Sequence, residues 1–143
     1  MKIALDTNVL LDVVLKRAEY QESLKLAFLI AKGEADGLIS ANSITDIYYI
    51  ARKSIGDDKA REAVADLMAI FDVAPVDGDI CSTALYTPMS DYEDAVLAVC
   101  AANAGAEYVV TRDEGFLSTE GSPVQAIRPS KAIEIITAKD TGI

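Results

Sequence analysis

The chain is 143 residues long, with 23 acidic side chains against 13 basic ones, two cysteines and no histidine. That length suffices for one domain that buries most of its apolar surface without disulfides or a structural metal. The missing histidine excludes Ser-His-Asp and Cys-His nucleophile pairs and the usual near-neutral base, while a net charge of −10 counts against a phosphate-binding face built from Lys and Arg.

Residues 2 to 6 form a short apolar run and read as a buried strand, followed by Thr7 or Asn8 as cap and a helix carrying Val9, Leu10, Val13 and Val14. A second helix places Tyr20, Leu24, Ala27, Phe28 and Ala31 at helical spacing, and Gly33 stops it. Gly37 to Ser40 is the second strand. Ile44, Ile47, Tyr48 and Ala51 then give a helix from Ala41 to Lys53, ended by Gly56. Asp57 and Asp58 open the next helix, whose stripe of Ala60, Ala63, Val64, Leu67, Met68 and Phe71 is the clearest amphipathic face in the chain. Val73 to Val76 reads as a brief strand, and Asp77 to Tyr86 as a short helix stopped before Pro88. Ser90 and Glu93 have the spacing of a capping box at the head of an alanine-rich helix, which Gly105 ends. Tyr108 to Thr111 and Val124 to Ile127 are the last strands, and Pro129 begins a terminal helix through Ile136.

This alternation predicts an α/β fold: a single domain over residues 1–143, built as a three-layer α/β/α sandwich around a mainly parallel central sheet. Ligands of such open sheets bind outside the carboxyl ends of the strands, where Asp6 and Asp113 both fall. Cys81 and Cys100 lie in helix-like apolar patterns with no second cysteine or histidine nearby, which reads as buried thiols in a reducing compartment. No apolar run approaches the roughly 20 residues that cross a bilayer, and the chain starts on a strand instead of a basic and then hydrophobic leader. The expected location is cytoplasmic, without a membrane partner.

The acids are where chemistry is legible. Asp6 closes the first strand, as a cap or as a ligand, with a hydroxyl at Thr7 and an amide at Asn8 beside it. Asp91 and Asp94 share a helix face that continues through Leu97, Ala98 and Ala101, so Asp94 aims at the edge of the core. Glu93 better suits the simple electrostatic placement of an acid in a first turn. Asp113 follows a buried strand by one polar step, and Arg112 beside it either contacts phosphate or pairs with Asp113 or Glu114. Asp46, on a mixed helix face with Ile50 and Lys53, reads as solvated. Carboxylates gathered at one sheet edge repel and raise one another's pKa unless a divalent cation neutralises them. Without histidine, oxygen-preferring Mg²⁺ or Mn²⁺ is the remaining means of activating water near neutral pH.

Three segments, Ile3-Ala4-Leu5-Asp6-Thr7-Asn8-Val9-Leu10-Leu11-Asp12, Ser90-Asp91-Tyr92-Glu93-Asp94-Ala95 and Val110-Thr111-Arg112-Asp113-Glu114-Gly115-Phe116, occur in this order. With them, nearly the full chain resembles the PIN-domain family, in particular the VapC-like toxin ribonucleases of prokaryotic toxin–antitoxin pairs. The resemblance implies that Asp6, Asp94 and Asp113 are metal-site acids, with Asp91 as a further ligand and Asn8 and Thr111 in support. It places Asp46 where the family commonly has a Glu, and a shorter acid reaches less far. Gly115 stands where many relatives carry one more acid, and Glu114 is not an equivalent position.

The implied reaction is Mg²⁺- or Mn²⁺-dependent endonucleolytic hydrolysis of RNA, with Asp6, Asp46, Asp94 and Asp113 as catalytic acids and Arg52, Lys53 and Arg112 guiding the strand. A cognate antitoxin and a second copy of the chain are the implied protein partners, with Tyr48 and Tyr49 at the dimer interface or Tyr48 in the core. Two other readings stand beside this one. A catalytically weak or inactive module of the same fold, binding RNA or a partner protein, is left open by Asp46 and by the charge of −10. A haloacid-dehalogenase-like phosphatase ordinarily needs a second acid where Asn8 stands.

Overall fold

Five short strands, β1 (Lys2–Leu5), β2 (Asp36–Ser40), β3 (Asp72–Ala74), β4 (Tyr108–Val110) and β5 (Gln125–Ile127), pair in the order β3-β2-β1-β4-β5, and every pairing is parallel. They belong to a computed structural model that describes residues 1–18 and 20–139; the carboxyl limit of the expected 1–143 domain lies outside the described residues. Helices fill the connections: α1 (Thr7–Leu15), α2 (Tyr20–Ala31), α3 (Ala41–Ile55), α4 (Asp57–Ile70), α5 (Gly78–Tyr86), α6 (Tyr92–Asn103), α7 (Glu114–Ser118) and α8 (Pro129–Lys139). None among the described residues is long and apolar enough to cross a membrane.

The three-layer expectation is borne out by how the strand side chains divide. Ile3 and Leu5 of β1 join a core with Leu10, Leu26, Ile47 and Ile136, contributed by α1, α2, α3 and α8. Ala4, between them, faces the opposite core with Leu97, Ala98, Val109 and Phe116. Each strand therefore needs apolar residues in both alternate positions, which is why these segments read as continuous hydrophobic runs. α5 packs outside α6 through Ile80, Ala84, Val96 and Val99. Consequently α6 is buried on all sides from Ala95 to Ala101.

Helix ends follow local chemistry, with some corrections to the sequence reading. Gly33 and Gly105 both have positive φ, near 84° and 80°, and the amides that follow return to the last turn, Glu34 N to Leu29 O and Ala106 N to Ala101 O. The cap of α1 is Asp6, one residue before Thr7. The cap of α6 is Asp91, whose Oδ1 accepts from Asp94 N at 3.0 Å; the Ser90–Glu93 capping box does not form because the helix starts one residue later. α7 was not expected at all. Five residues including a glycine carry little helical propensity, but Asp113 caps it by accepting from Gly115 N at 3.1 Å and Phe116 is 1% exposed, a burial worth about 1.5–3 kcal/mol. Leu24, Phe28 and Met68, placed on apolar stripes by spacing, are exposed, and Cys81 is only partly buried whereas Cys100 is buried.

β1 is the point where chain order reverses: β2 and β3 lie to one side of it, β4 and β5 to the other. In open parallel sheets the crevice for ligands opens at the carboxyl ends of the strands flanking such a reversal. Here those ends lead into Asp6 and Thr111.

Candidate functional site

The register of β1 against β4 sets Leu5 opposite Val110, so the next residues, Asp6 and Thr111, leave the sheet side by side. Thr111 is fully buried. Its hydroxyl donates to Asp6 Oδ2 at 2.8 Å and accepts from Asp113 N at 3.1 Å, which ties the two carboxylates to one hinge. Asp6 occupies the cap position of α1 but makes no cap hydrogen bond with its side chain, although the amides of Thr7 and Asn8 lie near enough to lower its pKa. The carboxylate thus lies over the first amides of its own helix and lines a cleft.

That cleft has a volume of about 370 Å³ and is lined by Asp6, Asp46, Asp91, Glu93, Asp94 and Asp113, with Asn8, Asn42 and Ser43 among them. Four helices begin at it, α1, α3, α6 and α7, and their caps are Asp6, Ser40, Asp91 and Asp113. Their first-turn amides offer partial positive charge to the acids. The floor is held by a run of hydroxyls: Thr7 Oγ1 donates to Ser43 Oγ at 2.9 Å, and Ser43 and Ser40 Oγ are 2.7 Å apart.

No lysine or arginine lines the cleft among the described residues, and the acids respond accordingly. Asp94 is pushed up to about 7, first by burial, then by the charges of Asp91 and Asp6, with Asp113 accepting a hydrogen bond from its protonated form. Burial also raises Asp6, against the hydrogen bond from Thr111 that lowers it. Glu93 is raised by burial and by Asp46 beside it. These are hard oxygen donors carrying uncompensated charge, the chemistry that Mg²⁺ and Mn²⁺ prefer. Asn42 Oδ1 is buried beside them with no hydrogen-bond partner among the described residues, an acceptor placed as if for an incoming cation or donor. No group of three acids among the described residues is arranged to hold an ion as it stands, so the residues fit in donor type, charge and location, and not as a closed cage.

The structure brings Asp6, Asp46, Asp91, Asp94 and Asp113 to one cleft. Asp46, which reads as solvated from its helix face, lies on a line of Asn42, Asp46 and Ile50 that borders the opening. Glu93, which reads as a first-turn charge, lines it too. Asn8 is at the lip, where its Oδ1 accepts from Arg17 at 3.2 Å. Arg52 and Lys53 are exposed on the last turn of α3, away from the lining. Arg112 turns inward to the fully buried Asp12, a partner 100 residues away; Glu114 pairs instead with Arg128. Tyr48 is tied to Asp57, and Tyr49 is exposed.

An all-parallel sheet with a carboxylate-lined cleft at its switch point defines an open α/β fold whose ligand crevice lies at the carboxyl ends of the central strands. A family model described as PIN domain matches residues 2–115, and the chain belongs to that family. Ribonuclease VapC1 of Aquifex aeolicus is 24% identical over 125 residues, spanning 83% of this chain and 86% of the relative. Among solved structures, VapBC2 from Rickettsia felis, bound to a DNA fragment from its promoter, matches with a TM-score of 0.67 at 15% identity, covering 90% of this chain and 98% of that one. A toxin–antitoxin complex from Klebsiella pneumoniae matches with a TM-score of 0.62 at 18% identity, over 89% of this chain and 97% of that one.

Proposed function

We infer that the chain is a Mg²⁺- or Mn²⁺-dependent endoribonuclease acting as the toxin of a toxin–antitoxin pair. The observation that carries this is the cleft at the ends of β1 and β4, where acids converge with no basic side chain lining it among the described residues. The family membership and the names of the similar proteins, a ribonuclease and a toxin–antitoxin complex, agree with it. Asp6, Asp94 and Asp113 would hold the ion with Asp91 as a further ligand; Asp46 and Glu93 complete the acidic wall. Glu93, one methylene longer than Asp46 and beside it, supplies the reach that Asp46 lacks. A divalent ion bound there supplies the positive charge that activates water and offsets the charge developing on the phosphodiester. The chain's own part is to hold these oxygens by Thr111 and the helix caps, and to keep Asp94 ready to lose its proton. RNA is the substrate, a cognate antitoxin the regulator, and a second copy of the chain a further partner, with exposed Tyr49 and the cations Arg52 and Lys53 available at its surface.

The test is cleavage of single-stranded RNA by purified protein with Mn²⁺ or Mg²⁺. Loss of cleavage with EDTA and in Asp6→Asn and Asp94→Asn is expected, by a factor on the order of 100 or more. Equal residual cleavage in both variants would assign the activity to a contaminant. The second reading, an RNA-binding module without turnover, is favoured by Asp46 and by the absence of a closed ligand cage among the described residues; retained RNA binding without cleavage at any divalent ion would select it.

A further inference from the structure

Asp12 is 0% exposed, and a carboxylate so placed must be paired and hydrogen-bonded to remain charged. It lies on α1, six residues beyond Asp6, and is not among the residues that line the acidic cleft. Nη2 of Arg112 stands 2.5 Å from both of its oxygens, and Ser23 Oγ of α2 donates to Oδ2 at 3.0 Å. Arg112 itself sits between the two residues that build the cleft's hinge: Thr111, which binds Asp6, and Asp113, which caps α7. Three successive residues are therefore tethered at three points, to Asp6 at the junction of β1 and α1, to the α1–α2 pair and to the first turn of α7.

We propose that Asp12 and Arg112 are positioning residues for the carboxylate centre: the buried pair clamps the turn between β4 and α7 and so fixes where Thr111 and Asp113 point. In this role Arg112 guides the site from behind instead of contacting RNA. A buried ion pair is not needed for stability alone, since well-packed apolar replacements often hold a fold equally well. The turn is another matter. Its five-residue helix has little intrinsic persistence, and displacement of a reacting group by about 1 Å is enough to cost on the order of 100-fold in rate.

The kinetic consequence rests on the ribonuclease reading, whereas the structural one does not, so the experiment has both readouts. In the double variant Asp12→Leu, Arg112→Met, the melting temperature stays near that of wild type. Hydrogen–deuterium exchange in the peptide 111–118 is expected to quicken on the order of tenfold or more while peptides in α3 and α6 keep their protection. With RNA and Mn²⁺, kcat falls about 10–100-fold and KM stays within about twofold, because no substrate-touching group has been removed. Unchanged exchange in 111–118, or a stable double variant with wild-type kcat, overturns the proposal and leaves the pair a purely structural one. If wild type leaves RNA intact, the ribonuclease reading fails and the exchange still decides. Should the double variant not fold, Arg112→Lys keeps a cation facing Asp12 but loses the guanidinium that reaches both of its oxygens; faster exchange in 111–118 then supports the clamp, and unaltered exchange refutes it.

Discussion

Asp94 carries its charge in the wrong place for an isolated carboxylate: burial and the neighbouring Asp91 and Asp6 lift it from 3.8 to about 7. Between those values the folded protein holds a proton that the unfolded chain has released, so its stability falls as pH rises through the window. Below the ordinary value the contribution is complete, and above about 7 it is gone. Metal-free protein in EDTA should therefore melt at a lower temperature at pH 7.5 than at pH 4.5, and Asp94→Asn should remove much of that slope. Indistinguishable slopes would show that the proton resides elsewhere. Saturating Mn²⁺ should act in the opposite sense, stabilising most above pH 7, because the ion competes with that proton. The sequence made Asp6, Asp94 and Asp113 legible because each ends or begins an element at a position where an apolar run stops. Glu93 and Asp46 were not legible as neighbours. α6 is buried all round, so its apolar pattern defines no solvent side, and Asp46 meets Glu93 across elements about a third of the chain apart. The pairing of Arg112 with Asp12 in place of Asp113 or Glu114 was not legible, because Asp12 lies on a helix 100 residues earlier in the chain.

At the scale of elements, the strands and long helices were readable because a sheet buried on both faces and helices buried on one impose different periods on the same apolar residues. Short elements escaped, since α7 depends on one cap and one buried ring rather than on a pattern. The packing between layers leaves a similar trace at Gly37 in β2. A Cβ there would lie 2.5 and 2.7 Å from the ring carbons of Phe71 and 3.0 Å from Ile30 Cγ2. Phe71 is 2% exposed, so its ring has no free space into which to retreat. Gly37→Ala should consequently cost about 1–3 kcal/mol, read as a lower urea midpoint with an unchanged slope. A midpoint equal to that of wild type would mean that the ring of Phe71, just past α4, packs on β2 more loosely than its close approach to Gly37 indicates. Because Gly37 pairs with Ile3 in β1 on the far side of the sheet layer from Asp94, RNA cleavage per folded molecule should be nearly unaffected.

Across the whole molecule, the charge of −10 and the commitments of the basic side chains shape how a polyanion would approach. Arg17 is held by Asn8, Arg61 by Asp57, Arg112 by Asp12, Arg128 by Glu114 and Lys131 by Glu134. Apart from Arg17, whose partner is a neutral amide, these cations are partly or wholly neutralised by the carboxylates they touch, and none of the five lines the cleft. A nuclease that gripped six to ten phosphates through Lys and Arg would lose roughly 10³–10⁵ in affinity between 50 and 200 mM salt. Here the dominant long-range term is repulsion, which extends about 30 Å at 10 mM ionic strength and about 8 Å at 150 mM. With Mg²⁺ held saturating, KM for single-stranded RNA should therefore stay level or fall as KCl rises from about 10 to 150 mM, as screening brings the strand to the acidic cleft. A steep rise of KM over that range would instead require a cationic track, and Arg52 and Lys53, exposed on one turn of α3, are the residues to examine. If Arg52→Gln with Lys53→Gln then flattened the salt dependence, strand guidance would lie outside the cleft, and the acidic centre would receive RNA already held by a neighbouring surface.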